Sequence, residues 1–446
     1  MKYIWFITYN ILFLPLFWVS TRILSLFNRK IKTGYRERKN LLLKLEVKLH
    51  SLKPDRKNIL IHCSSLGEFE QAKPIIEELD KTGQYNFIVS FFSPSGYKHS
   101  KLDSGLQSEI VKTYLPFDWI HRISLFIDLI KPDAVVFIKY DLWFNFLNQL
   151  KKKNIHRIVA NASYDEKSFK WRFFLTRSYK KTLYNFFNLV STTDTEDLEY
   201  FKKILSSGVE VESLGDTKYE RVNKAKELAK EKTPINGDIL TNKNVFVIGS
   251  SWQEDDEILF PVLDRIYSNG VNVSHPLITI IAPHEPTKEN IDEIERDIRE
   301  NYPHLKFIKY SQIDKYDKEN IILIDCIGIL STLYKYADIA YVGGGLQTGL
   351  HNVLEPAAYG IPVLFGDEKI SEDAETLIKS GGGIPIHNYK ILYKNLVHLL
   401  KEEQTRKKLG AKSSSVFIKE NHTSRKLAEL INLHFNIRYQ GAEVIV

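Results

Sequence analysis

Apolar residues in this chain gather into short continuous runs separated by longer amphipathic stretches, and the plan occurs twice. Runs at 58–63, 86–92, 133–138 and 155–160 are bounded by polar residues, and runs at 187–193 and 209–214 complete the first series. Unbroken apolar runs of that length predict strands buried on both faces. The stretches 68–79, 119–130 and 143–153 carry helical spacing instead. Strand and helix therefore alternate, which predicts a parallel sheet covered by helices on both sides. A polar, lysine-rich stretch with Pro234 and Gly237 interrupts the pattern, and it restarts at 245–249, 277–282, 321–324, 338–342 and 361–365. The expected fold class is α/β, with two Rossmann-like domains facing each other across a cleft. Ligands of such sheets sit at the carboxyl ends of the strands. The boundaries expected are 1–30, 31–225, a linker at 226–243, 244–413, and a helical stretch at 414–446 that packs back across the hinge.

The segment 3–27 breaks this plan. It is apolar and aromatic-rich, and its ~25 residues suffice to span a bilayer at 1.5 Å per residue. Thr8, Tyr9, Asn10, Pro15 and Arg22 make it a poor span, and no small-residue cleavage site follows it. A single anchor helix and a helix lying in the membrane interface both fit. Arg22, Arg29, Lys30 and Lys32, with Arg36, Arg38 and Lys39 behind them, suit an anionic membrane surface. Because the positive cluster follows the apolar segment, the remainder is expected on the cytoplasmic face of the membrane.

Composition narrows the class. The 446 residues are 43% hydrophobic and 26% charged, with a net charge of +7, too mild an excess for nucleic acid to be the partner. Two cysteines, Cys63 and Cys326, exclude a disulfide framework and point to a reducing compartment.

Two blocks carry the chemistry. In the first, Gly343, Gly344, Gly345 and Gly349 follow a strand and let backbone approach a ligand closely. His351 and Asn352 stand where a helix is expected to begin, with Glu355 one turn in. A helix start favours anions, and a glutamate there accepts hydrogen bonds from a diol such as ribose. The block suits a nucleotide sugar, and no G-x-G-x-x-G follows the first strand of either half. His351 and Glu355 also have the spacing of a metal pair, but no third ligand lies nearby, so no metal is expected. In the second block, Ser64, Ser65, Gly67 and Glu68 follow the first strand. Ser64 or Ser65 caps the next helix and Glu68 stands at its mouth. There a carboxylate can take a proton from an acceptor hydroxyl, although the helix terminus favours its ionised form and weakens it as a base. The plainer alternative is a first-turn glutamate that only favours the helix. His62 reads more readily as a satisfied core histidine, Asp255, Asp256 and Glu257 as first-turn acids, and Trp143, Trp171 and Trp252 as packing, although Trp252 also suits a donor pocket.

Taken in order, His62 to Glu68, Ser93-Pro94-Ser95-Gly96, Tyr114 to Asp118, Asn161-Ala162-Ser163, Gly215 to Glu220, Pro283, Asp325 with Gly328, the 341–366 block and Asn421 to Arg425 resemble the Kdo transferases, which add 3-deoxy-D-manno-octulosonic acid to a lipid A precursor in lipopolysaccharide biosynthesis. The resemblance runs over nearly the whole chain. It implies a GT-B fold and a metal-independent, inverting transfer from CMP-Kdo without a cofactor. It makes 31–225 the acceptor domain and 244–413 the nucleotide-sugar domain. Glu68 matches the general base. Ser250, Ser251, Pro283, Gly328, Gly344, Gly345, His351, Asn352 and Glu355 match the donor side, where His284 stands in place of the family's arginine. Ser65, Gly67, Lys139 and Asp141 fall on the acceptor side. The family's Glu-Thr-Glu-Leu-Trp-Pro-Asn is here Lys139-Tyr-Asp141-Leu-Trp-Phe-Asn145, and Lys218 and Lys288 are cations that can compensate for His284. Two other readings compete: a UDP-sugar transferase or epimerase of the same fold, and a membrane-attached scaffold that has lost activity.

Overall fold

The computed structural model describes residues 2–101, 105–164, 169–271, 273–417 and 422–436. Asn421 and residues 437–446 therefore lie outside the described residues. The chain divides into two compact units, 1–221 with 422–446, and 222–421.

The first unit is built on a seven-stranded sheet of order β3-β2-β1-β4-β5-β6-β7. Its strands are β1 Lys57–Cys63, β2 Tyr85–Phe91, β3 Ile110–Tyr114, β4 Ala134–Ile138, β5 His156–Ala162, β6 Leu189–Thr192 and β7 Glu210–Ser213. Every pairing is parallel. Alternate residues of β1 feed different cores. Leu60 joins Ile88, Val135 and Val159 on one face. Ile59 and Ile61 join Phe69, Ile75 and Ile76 on the other. Both faces are apolar because both are covered, which is why these strands read as unbroken runs. The helix Thr423–His434 closes the second face with Leu427, Ala428 and Ile431. It is tied down by Tyr85 Oη donating to Asn432 Oδ1 at 2.6 Å and by Ser424 N–H donating to Glu220 at 3.0 Å.

The second unit repeats the design with order β10-β11-β9-β8-β12-β13-β14, all parallel. Its strands are β8 Asn244–Ser251, β9 Leu277–Pro283, β10 Phe307–Lys309, β11 Ile321–Leu323, β12 Ile339–Val342, β13 Val363–Gly366 and β14 Gly383–Ile386. The stretch expected to be a linker is partly helical, at Thr217–Lys230 and Gly237–Leu240.

The N-terminal segment is helical from Lys2 to Phe27 and long and apolar enough to cross a membrane. It contains a π-helical turn, Tyr9–Phe13, just before Pro15. Proline removes a backbone donor, and a wide turn accommodates that loss. The turn aims Tyr9 and Asn10 at the first unit. Tyr9 Oη donates to Asp118 at 2.8 Å, and Asn10 and Asn145 exchange bonds of 3.1 and 2.7 Å. Two of the residues that make the segment a poor span, Tyr9 and Asn10, are thus its attachment points. Its other side stays open, with Ile11 74% and Leu26 75% exposed.

Candidate functional site

At the centre of each sheet the strand order reverses, between β1 and β4 and between β8 and β12; in the second sheet β11 is also inserted between β10 and β9. At such a switch point the loops after the two central strands diverge and leave a crevice at the sheet's carboxyl edge. Both blocks singled out from the sequence lie there.

In the first unit β1 ends at Cys63 and the helix Leu66–Asp80 begins three residues later. Ser65 is the N-cap: its Oγ accepts from Glu68 N–H at 3.4 Å. The half-buried Glu68 carboxylate folds back and accepts the Ser64 N–H. Two opposing influences on its basicity follow. Burial, the larger, raises the Glu68 pKa above the usual glutamate value, while the Ser64 bond lowers it. The Asp141 charge adds to the rise and His62 opposes it. The net direction is upward, so desolvation outweighs the helix terminus.

Asp141 comes from the loop after β4. Its Oδ2 lies 3.0 Å from Nε2 of His62, whose Nδ1 lies 2.9 Å from Ser90 Oγ. Burial alone would raise the Asp141 pKa, but the hydrogen bond and charge of His62 bring it below the usual value. His62 is 1% exposed and satisfied at both nitrogens, and it orients Asp141. Lys139 has φ 60 and sends its ammonium to within 3.6 Å of the buried Asp216, which Lys218 also approaches at 3.3 Å. Two cations thus flank one buried carboxylate at this edge. Gly67 is exposed beside Glu68.

In the second unit the loops after β8 and β12 are held by Asp255. One carboxylate oxygen accepts from Trp252 N–H at 3.0 Å and Gly344 N–H at 2.8 Å, and the other accepts from Tyr341 Oη at 2.8 Å. Asp255 is thus more than a first-turn acid: it fixes the glycine turn against β8. The glycines are required by contact. A Cβ on Gly343 would collide with the Ser250 carbonyl, and one on Gly345 with that of Gly366. Gly344 also has φ 89. Ser250 has φ 54, at the irregularity where β8 leaves register with β9. Ser251 is buried, and its carbonyl accepts from His284 N–H at 3.0 Å, beside Pro283.

Three rings stack over this edge. The His284 ring centroid lies 4.7 Å from that of Trp252 and 4.2 Å from that of His351, and Trp252 Nε1 donates to His351 Nε2 at 2.9 Å. Burial, and then the neighbouring His284, push the His351 pKa down to about 4, so its imidazole is neutral and accepts the indole N–H. Trp252 therefore belongs with the site rather than with core packing. The short helix starts later than expected, at Leu354, so His351 and Asn352 are loop residues. Asn352 Nδ2 donates to Glu355 at 3.0 Å, and its Oδ1 accepts from Leu354 N–H at 3.1 Å. Gly328 turns with φ 92 on an exposed loop after β11. Of the proposed compensating cations, Lys218 lies in the first unit on Asp216, and Lys288 opens the helix Lys288–Asn301. Among the described residues no group of three or more His, Cys, Asp or Glu is arranged to hold a metal ion.

Asp255 reads from sequence only as a first-turn acid, and Asp216 only as part of a motif. Each has one partner nearby in the chain, Trp252 and Lys218, but the partners that give them their roles, Tyr341 and Gly344 for Asp255 and Lys139 for Asp216, are distant in sequence.

A family model for 3-deoxy-D-manno-octulosonic-acid transferase (kdotransferase) matches residues 34–221. The chain is 29% identical over 383 residues to a bifunctional glycosyltransferase/methyltransferase of Fusobacterium nucleatum, covering 82% of this chain and 56% of that relative's length. It is 24% identical over 387 residues to the 3-deoxy-D-manno-octulosonic acid transferase of Haemophilus influenzae, covering 85% of this chain and 87% of that one. The corresponding transferase of Rickettsia bellii is 25% identical over 377 residues, covering 81% and 84%. Among solved structures, UDP-GlcNAc 2-epimerase from Neisseria meningitidis bound to UDP-GlcNAc matches with a TM-score of 0.59 at 12% identity, covering 84% of this chain and 99% of that one. The S. aureus MnaA-UDP co-structure matches with a TM-score of 0.58 at 15% identity, covering 87% and 99%. At such identities the likeness shows the fold, GT-B, and nothing about the substrate.

Proposed function

The chain belongs to the Kdo transferase family of GT-B glycosyltransferases, and from that premise we propose that it transfers Kdo from CMP-Kdo to a sugar hydroxyl of a lipid A precursor, with inversion and without a metal. Glu68 takes the proton of the acceptor hydroxyl. The freed oxygen bonds to the anomeric carbon of Kdo, the bond from that carbon to the CMP phosphate oxygen breaks, and CMP leaves with the electron pair. The observation that carries this reading is the Glu68 carboxylate: fixed by Ser64 at a sheet switch point, with its pKa raised by burial and by Asp141. A base is more effective as its pKa approaches the working pH. Lys139 and Asp141 flank it on the acceptor side, with Ser65 and Gly67 shaping the turn.

On the donor side, Glu355 accepts from the ribose hydroxyls, with Asn352 orienting it. The N–H groups of the Gly344–Gly345 turn and the edge formed by Ser250, Ser251, Pro283 and Gly328 contact the nucleotide. His284, stacked between Trp252 and His351, faces the donor's acidic groups. The open face of the N-terminal helix, with Arg22, Arg29, Lys30 and Lys32, all exposed, lies on the cytoplasmic surface of the inner membrane. Its docked face favours an interfacial position over a span, because crossing a bilayer would break the Tyr9 and Asn10 bonds.

Incubating the purified chain with CMP-Kdo and a lipid A precursor, and weighing the product, tests the proposal. A mass increase of one or more Kdo residues supports it. No product, with a UDP-sugar consumed instead, would favour the epimerase or UDP-sugar alternative.

A further inference from the structure

The first unit holds a cavity of about 680 Å³ that the reaction above does not use. Arg22, Lys32, Arg36, Lys39 and Arg122 line it, and no aspartate or glutamate does. Among the described residues, Lys32, Lys39 and Arg122 have no ion-pair partner, while Arg36 pairs with its half-buried neighbour Glu37 at 3.5 Å. Arg22 lies over the faces of Tyr35 at 4.6 Å and Trp18 at 5.5 Å. Cations gathered on one concavity repel each other and raise its potential, and an anion relieves both. The sixth cation, Arg38, is structural. Its guanidinium donates to the carbonyls of Leu115, Gly34 and Phe92 at 2.7–3.1 Å, and burial pushes its pKa down to about 10.

The remaining wall is apolar, with Trp18, Leu26 and Trp119, and it opens beside the exposed face of the N-terminal helix. The volume falls in the range of about 300–1,000 Å³ typical of small-molecule pockets, too roomy for inorganic phosphate alone. Cationic and apolar lining residues together suit a phosphorylated sugar carrying acyl chains. The cavity also adjoins the loops that hold the proposed base. Tyr35, Arg38 and Phe117 form a shared wall with a smaller cavity that reaches Phe92, Ser93 and Pro94. Ser93 N–H donates to the Ser64 carbonyl at 2.9 Å, and Ser64 N–H donates to Glu68.

We infer that this cavity binds a phosphate group of the acylated acceptor while another part of the same molecule presents its hydroxyl to Glu68. The inference rests on the reading of Glu68 as the base for a lipid acceptor. It commits to the acceptor rather than to bulk anionic phospholipid, because the cavity shares a wall with the one lined by Ser93, whose loop is bonded to Ser64.

The test uses the full chain, the double variant Lys39→Gln/Arg122→Gln and the single variant Arg122→Gln. Each is assayed with a phosphorylated lipid A precursor in detergent and with the same lipid after phosphatase treatment. Loss of charge-assisted phosphate contacts should raise KM for the phosphorylated acceptor about tenfold or more in the double variant. The dephosphorylated acceptor should be turned over equally by variant and parent. Retention on phosphatidylcholine vesicles containing phosphatidylglycerol should be unchanged, as should the melting temperature. An unchanged KM, or an equal rise for both acceptors, overturns the inference. Lost retention on phosphatidylglycerol vesicles with normal KM in detergent also overturns it and assigns the cavity to bilayer lipid. If the parent makes no product with either acceptor, the transferase reading fails. The cavity is then judged by binding of the phosphorylated lipid, followed by tryptophan fluorescence: weaker binding by the double variant sustains a phosphate site, and equal binding removes it.

Discussion

Replacing Asp255 by asparagine should loosen the glycine turn and weaken CMP binding without touching the nucleotide. The carboxylate accepts three hydrogen bonds: the half-buried Trp252 N–H and the buried Gly344 N–H on one oxygen, the buried Tyr341 Oη on the other. Asparagine keeps one acceptor oxygen. If that oxygen serves the two backbone donors, the Tyr341 bond is lost. If it serves Tyr341, the amide N–H₂ faces two N–H donors. A hydrogen bond to a charged group is worth about 1.5–3 kcal/mol. Burial also raises the Asp255 pKa, so part of that gain offsets the cost of a buried charge, and asparagine escapes that cost. A value in the lower half of the range, about 2 kcal/mol, is the fitting expectation for the variant. Spread over a turn that must be ordered to bind, this corresponds to CMP affinity roughly 30-fold weaker, at about 1.4 kcal/mol per tenfold. Calorimetry of CMP binding to parent and variant measures it, and the melting temperature should fall alongside. Affinity within about threefold of the parent, where 2 kcal/mol predicts roughly 30-fold, would refute the claim that Asp255 orders the turn. No CMP binding by the parent would refute the donor assignment instead.

Further outcomes follow from the same structure. Glu68→Gln should lower transfer by about 10²–10⁴-fold with CMP binding unchanged, and activity within a few-fold of the parent would remove Glu68 from the mechanism. Glu68 must be ionised to accept a proton and its pKa is raised. The acid limb of kcat/KM should therefore lie above the ordinary glutamate value of about 4.3, and a limb at or below it would contradict the burial argument. Glu355→Ala should cost roughly 1.5–3 kcal/mol in CMP binding, and unchanged affinity by calorimetry would place the ribose elsewhere. Deleting residues 1–27 would strip buried Tyr9 and Leu14 from the first unit, so the membrane is better tested at exposed positions. Ile11→Glu with Leu26→Glu should release the protein from anionic vesicles while preserving its melting temperature, and full retention would show that this face is not the membrane surface.

Sequence pattern alone determined most of the architecture. A strand in the middle of a parallel sheet is covered on both faces, so β1, β2, β4, β5, β8, β9 and β12 had to be apolar throughout, and such runs are visible without a structure. The three strands absent from that reading, β3, β10 and β14, are all sheet edges. An edge strand has one neighbour and need not be buried on both sides. Two of the three residues in β10 are only partly buried, as are three of four in β14. The Ser65 cap, the Gly343–Gly345 turn and the apolar N-terminal helix were legible too, because each depends on a few adjacent residues. Tertiary structure alone decided what their charges do. Whether burial or the helix terminus governs Glu68 depends on neighbours from β1 and the loop after β4. Asp255 holds a glycine turn 89 residues away. Tyr9 and Asn10, weak points of a span by composition, are attachments to Asp118 and Asn145. Spacing encodes which face is buried, whereas the ionisation and orientation of a side chain depend on groups brought together only by the fold.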